Sequence, residues 1–283
     1  MKDIQYFAPA DVGEAVKLLA EHGGRVTILA GGTDLVPKIN YYELSPDILM
    51  YIGGLSLDYI KDEDGTLVIG ATTSTAKLAT SDLVKEKAAA LARAARLSGS
   101  VATRTSATIG GNIANASPAA DLVTPLLVMD AELRLRGPSG ERVVALKDFF
   151  TGPGETVLRP DELVVEVAMP VPRGNTVFLK LGRRKALTFA VVNVAVWLEL
   201  DGEKCRDARI ALGSVAPTPV RCLAAEALIR GKRLDKTSIV ECAAAAVAET
   251  HPIDDQRASA WYRRKASAPL VARALAQAAG VEI

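Results

Sequence analysis

Two glycine pairs set among small polar side chains are the residues best suited to chemistry in this sequence. The stretch Ala107-Thr108-Ile109-Gly110-Gly111-Asn112-Ile113-Ala114-Asn115-Ala116-Ser117-Pro118-Ala119-Ala120-Asp121 holds the first pair. Adjacent glycines let main-chain N–H groups turn toward a common point with no Cβ in the way, a concavity suited to an anion. Thr108 and Asn112 bracket them with side chains able to donate further hydrogen bonds. Ser117-Pro118 reads as an N-cap followed by proline in the first turn, so a helix N-terminus, whose dipole favours negative charge, is expected just after the loop. Asp121 is an acid beside an anionic site, and its two acceptor oxygens suit ligand hydroxyls better than phosphate.

The second pair lies in Leu29-Ala30-Gly31-Gly32-Thr33-Asp34-Leu35-Val36, where the apolar run Val26 to Ala30 has strand character and the glycines fall at its end. One such pair alone is an ordinary tight turn. A pair of loops with the same flanking pattern matches a ligand with two charged groups to hold, such as a diphosphate. Neither loop fits G-x-G-x-x-G or G-x-x-x-x-G-K-[ST], which sets aside the commonest nucleotide folds.

On these residues the chain resembles the flavin-binding medium subunit of the molybdenum hydroxylases, the group of carbon monoxide dehydrogenase and xanthine dehydrogenase. Ala30 to Leu35 is similar to one FAD-binding loop of that family and Thr108 to Asp121 to the other, while Phe178-Leu179-Lys180 ahead of Arg183-Arg184 is also typical of it. The resemblance covers the whole chain. It implies an α+β fold: a two-part FAD-binding α/β domain of the para-cresol methylhydroxylase-like type, followed by a C-terminal antiparallel sheet with helices. It further implies that Gly31, Gly32, Thr33, Thr108, Gly110, Gly111 and Asn112 hold the pyrophosphate, with Leu29, Ala30, Asp34 and Leu35 in the same first loop. Asp121 would accept from ribose or ribityl hydroxyls, and Lys180 would lie near the flavin, where an ammonium stabilises added negative charge. Arg104 is a lesser candidate for supporting the second loop. Two departures stand out. Asp34 occupies a position often filled by serine, and no cysteine-rich insertion of the 4-hydroxybenzoyl-CoA reductase kind is present.

Catalytic constellations are otherwise scarce. His22 and His251 belong to no triad or H-E-x-x-H pattern, and neither lies in a glycine loop, so a flavin would be held non-covalently. Cys205, Cys222 and Cys242 are odd in number and far apart, which excludes a disulfide framework and a cluster motif and leaves buried thiols in a reducing compartment. Such a shortage suits a flavoprotein electron carrier, in which the cofactor carries the redox chemistry and the protein orients it. By resemblance, electrons would come from a large molybdenum-cofactor subunit through two [2Fe–2S] clusters on a small subunit, in a dimer of heterotrimers. Two alternatives stay open: a free-standing FAD-dependent oxidoreductase, and a non-enzymatic nucleotide-binding module.

The elements that must position these residues follow from pattern. With 283 residues the chain exceeds one average domain and has cores large enough for a dinucleotide. Its 34 basic and 33 acidic side chains, with 5% aromatics, argue against nucleic acid as the partner. The absence of an h-region or membrane-length apolar run makes cytoplasmic residence the expectation. A first unit, 1–54, reads as a strand near Ile4 to Phe7, a helix started by Asp11 and stopped by Gly23, and strands Val26 to Ala30 and Ile48 to Ile52, mostly parallel. The second unit, 55–173, holds a strand Leu67 to Gly70, a helix-capping run Ala71 to Thr75, and a helix Leu83 to Leu97 whose Lys85, Glu86, Lys87, Arg93 and Arg96 form a solvated face. Beyond the principal loop come a helix Leu122 to Met129, a strand Ala131 to Arg136, exposed loops at Thr151 to Gly154 and Arg159 to Glu162, and a strand Leu163 to Met169. Pro170-Val171-Pro172-Arg173-Gly174 punctuates the change to a third unit, 174–283. There the strands Val177 to Leu181, Ala190 to Leu200 and Ala208 to Gly213 read as an antiparallel meander, followed by helices Leu223 to Ile229, Ser238 to Ala248 and Ser259 to Ala278.

Overall fold

The computed structural model describes residues 3–171 and 173–282; Pro172, within the segment read as a linker, lies outside them. The chain opens with β1 (Gln5–Phe7), α1 (Val12–His22), β2 (Val26–Leu29), α2 (Leu35–Asn40) and β3 (Ile48–Tyr51). The three strands pair in parallel in the order β1-β3-β2. Asp11 caps α1 by accepting from the Glu14 N–H at 2.9 Å, and Gly23 ends it at φ 56°, a conformation open to glycine. Ala15, Leu19 and Met50 form a small core that also takes in Leu163 and Val165 of the next sheet. The short helix α2 is not marked in the sequence pattern. It contains Pro37 and buries no residue fully, so periodicity had nothing to register.

Next come β4 (Ile60–Glu63), β5 (Thr66–Gly70), α3 (Thr75–Thr80), α4 (Asp82–Lys87), α5 (Ala89–Leu97), α6 (Val101–Ser106), α7 (Ile109–Ala114), α8 (Val123–Val128), β6 (Glu132–Gly137), β7 (Gly140–Ala145), β8 (Phe150–Gly152), β9 (Glu155–Thr156) and β10 (Leu163–Pro170). An antiparallel sheet of order β4-β5-β10-β6-β7 has β10 at its centre, and the helices supply most of the remaining core. The single helix expected over Leu83 to Leu97 is broken at Ala88, whose φ of −145° and ψ of 56° lie outside the helical region. Alanine has the best helix propensity, so the break is tertiary in origin. Ala88 is fully buried, and the Thr176 hydroxyl accepts from the freed Ala90 N–H at 3.2 Å. Arg159 to Glu162 is not simply an exposed loop. Glu162 is buried and takes two 2.7 Å hydrogen bonds from Arg142, which hold its carboxyl below the usual range.

The last part comprises β11 (Asn175–Gly182), β12 (Ala190–Asp201), β13 (Lys204–Gly213), β14 (Val220–Arg221), α9 (Leu223–Ile229), α10 (Lys236–Ala248) and α11 (Ala260–Ala279). The strands form the expected antiparallel meander, β11-β12-β13-β14. One face packs against α9 and α11, and α10 packs on both of these helices. Phe178, Ala195, Trp197 and Ala211 join the core of the preceding sheet and helices instead. An ionic group reinforces that contact: Asp130 after α8 pairs with Arg209 at 2.9 Å and Arg221 at 2.7 Å, and Arg221 reaches the buried Glu226 at 2.7 Å.

Candidate flavin site

The two glycine loops meet face to face. A Cβ on Gly31 would lie 1.8 Å from the Ser106 carbonyl oxygen, so only glycine lets the loop after β2 press against the end of α6. Gly32 adopts φ +70° and turns the chain into α2. Among the described residues, none accepts from the backbone N–H groups of Gly31, Gly32, Thr33 and Asp34. All four residues line a cavity of about 250 Å³ between the loops. The N–H groups of half-buried Gly31, Gly32 and Thr33 and of exposed Asp34 all stay open beside one concavity, which is a place for an anion to bind.

The second loop is built differently from the sequence expectation. Its helix starts at the glycines themselves: Thr108 is the N-cap of α7 and accepts from the Gly111 N–H at 3.1 Å. Ile109 and Gly110 donate to the carbonyls of Thr73 and Ala71 at 3.0 and 2.9 Å, and Asn112 donates to Thr108 at 2.9 Å. These main-chain donors are therefore consumed inside the protein. A Cβ on Gly110 would meet Ala71 at 2.8 Å, so that glycine serves the packing of α7, whereas Gly111 is exposed toward the cavity. Ser117-Pro118 caps no helix; the Ser117 hydroxyl accepts from the Ala119 N–H at 3.3 Å within a turn. The loop's offering is its side chains. The buried Oδ1 of Asn112 has no hydrogen-bond partner in the protein, an orphan that a ligand donor would satisfy.

A second cavity of about 330 Å³ shares Thr33, Asp34, Ala107, Asn112 and Asn115 with the first, so the two form one elongated groove. At one end Ile28, Ile52, Leu158, Leu163 and Val164 make an apolar lobe. At the other lie Ser98 to Ser100, Thr103, Asp121 and the segment Leu187 to Phe189. Arg104 supports this far lobe rather than the glycine loop, donating to the Ser98 and Gly99 carbonyls at 3.0 and 3.1 Å. Asp121 is buried and already paired: Lys180 Nζ donates to Oδ2 at 2.5 Å and to the Leu97 carbonyl at 3.2 Å, while Asn193 Nδ2 donates to Oδ1 at 3.2 Å. Burial pushes the Asp121 carboxyl up, opposed by the Lys180 ammonium and the Asn193 amide. Lys180 stands behind Asp121 and does not itself line the groove, and Leu29 and Leu35 likewise fall outside the lining. Asp34 makes no side-chain cap bond and remains exposed.

Comparison with known proteins shows the family to which the chain belongs. A family model described as the FAD binding domain in molybdopterin dehydrogenase matches residues 2–172, and one described as the CO dehydrogenase flavoprotein C-terminal domain matches residues 177–278. The chain belongs to this flavoprotein family. It is 34% identical to the glyceraldehyde dehydrogenase medium chain of Sulfolobus acidocaldarius, over 98% of this chain and 99% of that one. Identity to the carbon monoxide dehydrogenase medium chain of Hydrogenophaga pseudoflava is 35%, over 96% and 95% of the two chains. The solved structure of reconstituted CO dehydrogenase from Oligotropha carboxidovorans superposes with a TM-score of 0.96 at 32% identity, covering 99% of each chain. The family's cofactor fits the residues present. A diphosphate matches the open N–H groups of Gly31 to Asp34, and an elongated dinucleotide matches a groove with an apolar lobe at one end and a polar lobe at the other.

The residues that the sequence reading missed, Ser98, Ser100, Thr103, Leu163 and Val164, carry no local motif. They reach the groove because α6 and β10 begin there.

The three thiols are buried and free, and burial raises them, Cys205 to about 11 and Cys242 to about 12, out of the range of a reactive nucleophile.

Proposed function

We propose that the chain is the FAD-carrying electron-transfer subunit of a molybdenum hydroxylase, holding the dinucleotide non-covalently across the two-lobed groove. The run of open N–H groups at Gly31 to Asp34, pressed against the second glycine loop, carries this reading. Gly31, Gly32 and Thr33 hold the diphosphate from one side; Thr108, Gly111 and Asn112 close it from the other, with Gly110 fixing the packing of that loop. Asp121 offers its remaining lone pairs to ligand hydroxyls, and its partner Lys180 sets the charge beside the flavin ring. Bound flavin supplies exchange between one-electron donors and the final acceptor, and this chain orients it and excludes water.

The electrons arrive from [2Fe–2S] clusters on a small partner subunit, fed by a large molybdenum-cofactor subunit, in a dimer of heterotrimers in the cytoplasm. Relatives named for glyceraldehyde and for carbon monoxide are 34% and 35% identical to this chain, so the organic substrate is set by the large subunit and not here. The units 1–54, 55–173 and 174–283 are proposed as its building blocks, supported by three separate larger sheets. Titration of the apoprotein with FAD tests the site. One FAD per chain is expected, with flavin absorption at about 370 and about 450 nm. Absence of both bands from the protein after unbound FAD has been removed by gel filtration would refute it.

A further inference from the structure

The apolar run Ala190 to Leu198 of β12 is interrupted by one polar residue. Asn193 is fully buried between Val192 and Val194. A buried amide without partners costs free energy, so its hydrogen bonds reveal its use. The Thr124 hydroxyl donates to Asn193 Oδ1 at 2.9 Å, and Asn193 Nδ2 donates to Asp121 Oδ1 at 3.2 Å. The remaining Asp121 oxygen binds Lys180 at 2.5 Å. Register explains the grouping: Asn193 lies opposite Lys180 on β11 and opposite Gly213 on β13. A Cβ on Gly213 would fall 2.5 Å from Asn193 Oδ1, so the glycine leaves space for the amide.

We propose that Asn193 is a positioning residue of the polar lobe, its carboxamide held end-on between Thr124 and Asp121 so that the Asp121–Lys180 pair keeps one geometry and one charge state beside the groove. An ionised Asp121 has no proton to donate, so it must face the amide nitrogen; the Thr124 hydroxyl then fixes the oxygen end. Asn193 does not line the groove, so any effect on bound FAD passes through Asp121 and Lys180. This inference rests on the FAD reading above.

The test is a double-mutant cycle on reconstituted full-length protein, reading FAD affinity, flavin midpoint potential and thermal stability. Asn193→Leu is expected to weaken FAD binding about tenfold, the scale of a lost hydrogen bond to a charged group. It should also raise the potential, because Lys180 then has a weaker counter-charge. Asp121→Asn should move the potential in the same direction, and adding Asn193→Leu to it should move the potential no further. Thr124→Val, which keeps the volume and frees the amide to rotate, should give a smaller shift of the same sign and serves if Asn193→Leu does not fold. Loss of thermal stability with wild-type affinity and potential would make Asn193 a purely structural residue and overturn the proposal, as would additive shifts in the double variant. A wild-type chain that takes up no flavin would remove the cofactor reading itself, and this inference with it.

Discussion

Gly31 and Gly111 look alike in the sequence and do different work. A methyl group on Gly31 collides with a backbone carbonyl that cannot rotate away, whereas one on Gly111 meets only the Thr108 hydroxyl at 2.9 Å and otherwise faces the cavity. Gly31→Ala is therefore expected to cost stability by about 1–3 kcal/mol, as overpacking does, and to abolish FAD retention by parting the loops. Gly111→Ala should cost the apoprotein less, through a shift of the Thr108 cap alone, and weaken FAD binding. Paired thermal melts and FAD titrations separate the two, and equal losses of apoprotein stability would show that both glycines serve packing. The glycine motifs were legible because their spacing is local. What Asp121 and Lys180 do to each other was not, since 59 positions separate them and only tertiary packing brings them together.

Among elements, the parts with local signals were readable: the Asp11 cap and Gly23 stop of α1, the alternating strands and the antiparallel meander. Features imposed by tertiary packing were not, including the break at Ala88 and the start of α7 at the glycines rather than after Ser117. Glu162 shows how such a feature matters. It lies directly before β10, whose Leu163 and Val164 line the apolar lobe, and Arg142 grips it bidentately. Its folded-state pKa is depressed, so the unfolded chain binds the proton more readily. The stabilisation is thus complete above the unfolded value of about 4.3 and is lost as pH falls through the lower folded value. Glu162→Gln should lower stability by about 1–3 kcal/mol at neutral pH and flatten the acid limb of the stability profile. Urea melts between neutral pH and the acid range check this, and an unchanged acid slope would show that other carboxylates control it.

Across the molecule, the two halves matched by separate family models are joined through a shared core and through Arg221. Its guanidinium holds the buried Glu226, Asp130 and the Leu127 carbonyl at once. Arg221→Met leaves Glu226 buried with the Ile210 N–H but without its cationic partner, and losing one member of such a pair costs about 3–5 kcal/mol. A drop of that size in denaturant melts is expected; a change below about 1 kcal/mol would place the pair with weak surface bridges.

The proposed function gives this chain the FAD and places its electron source on other subunits. Isolation of the tagged chain from its native cells, with metal and flavin analysis of what co-purifies, addresses this most directly. A large and a small partner subunit should accompany it, with molybdenum, iron and FAD in the same complex. A chain that runs alone and turns over a small substrate with a pyridine nucleotide would contradict the electron-transfer role and make it a free-standing reductase.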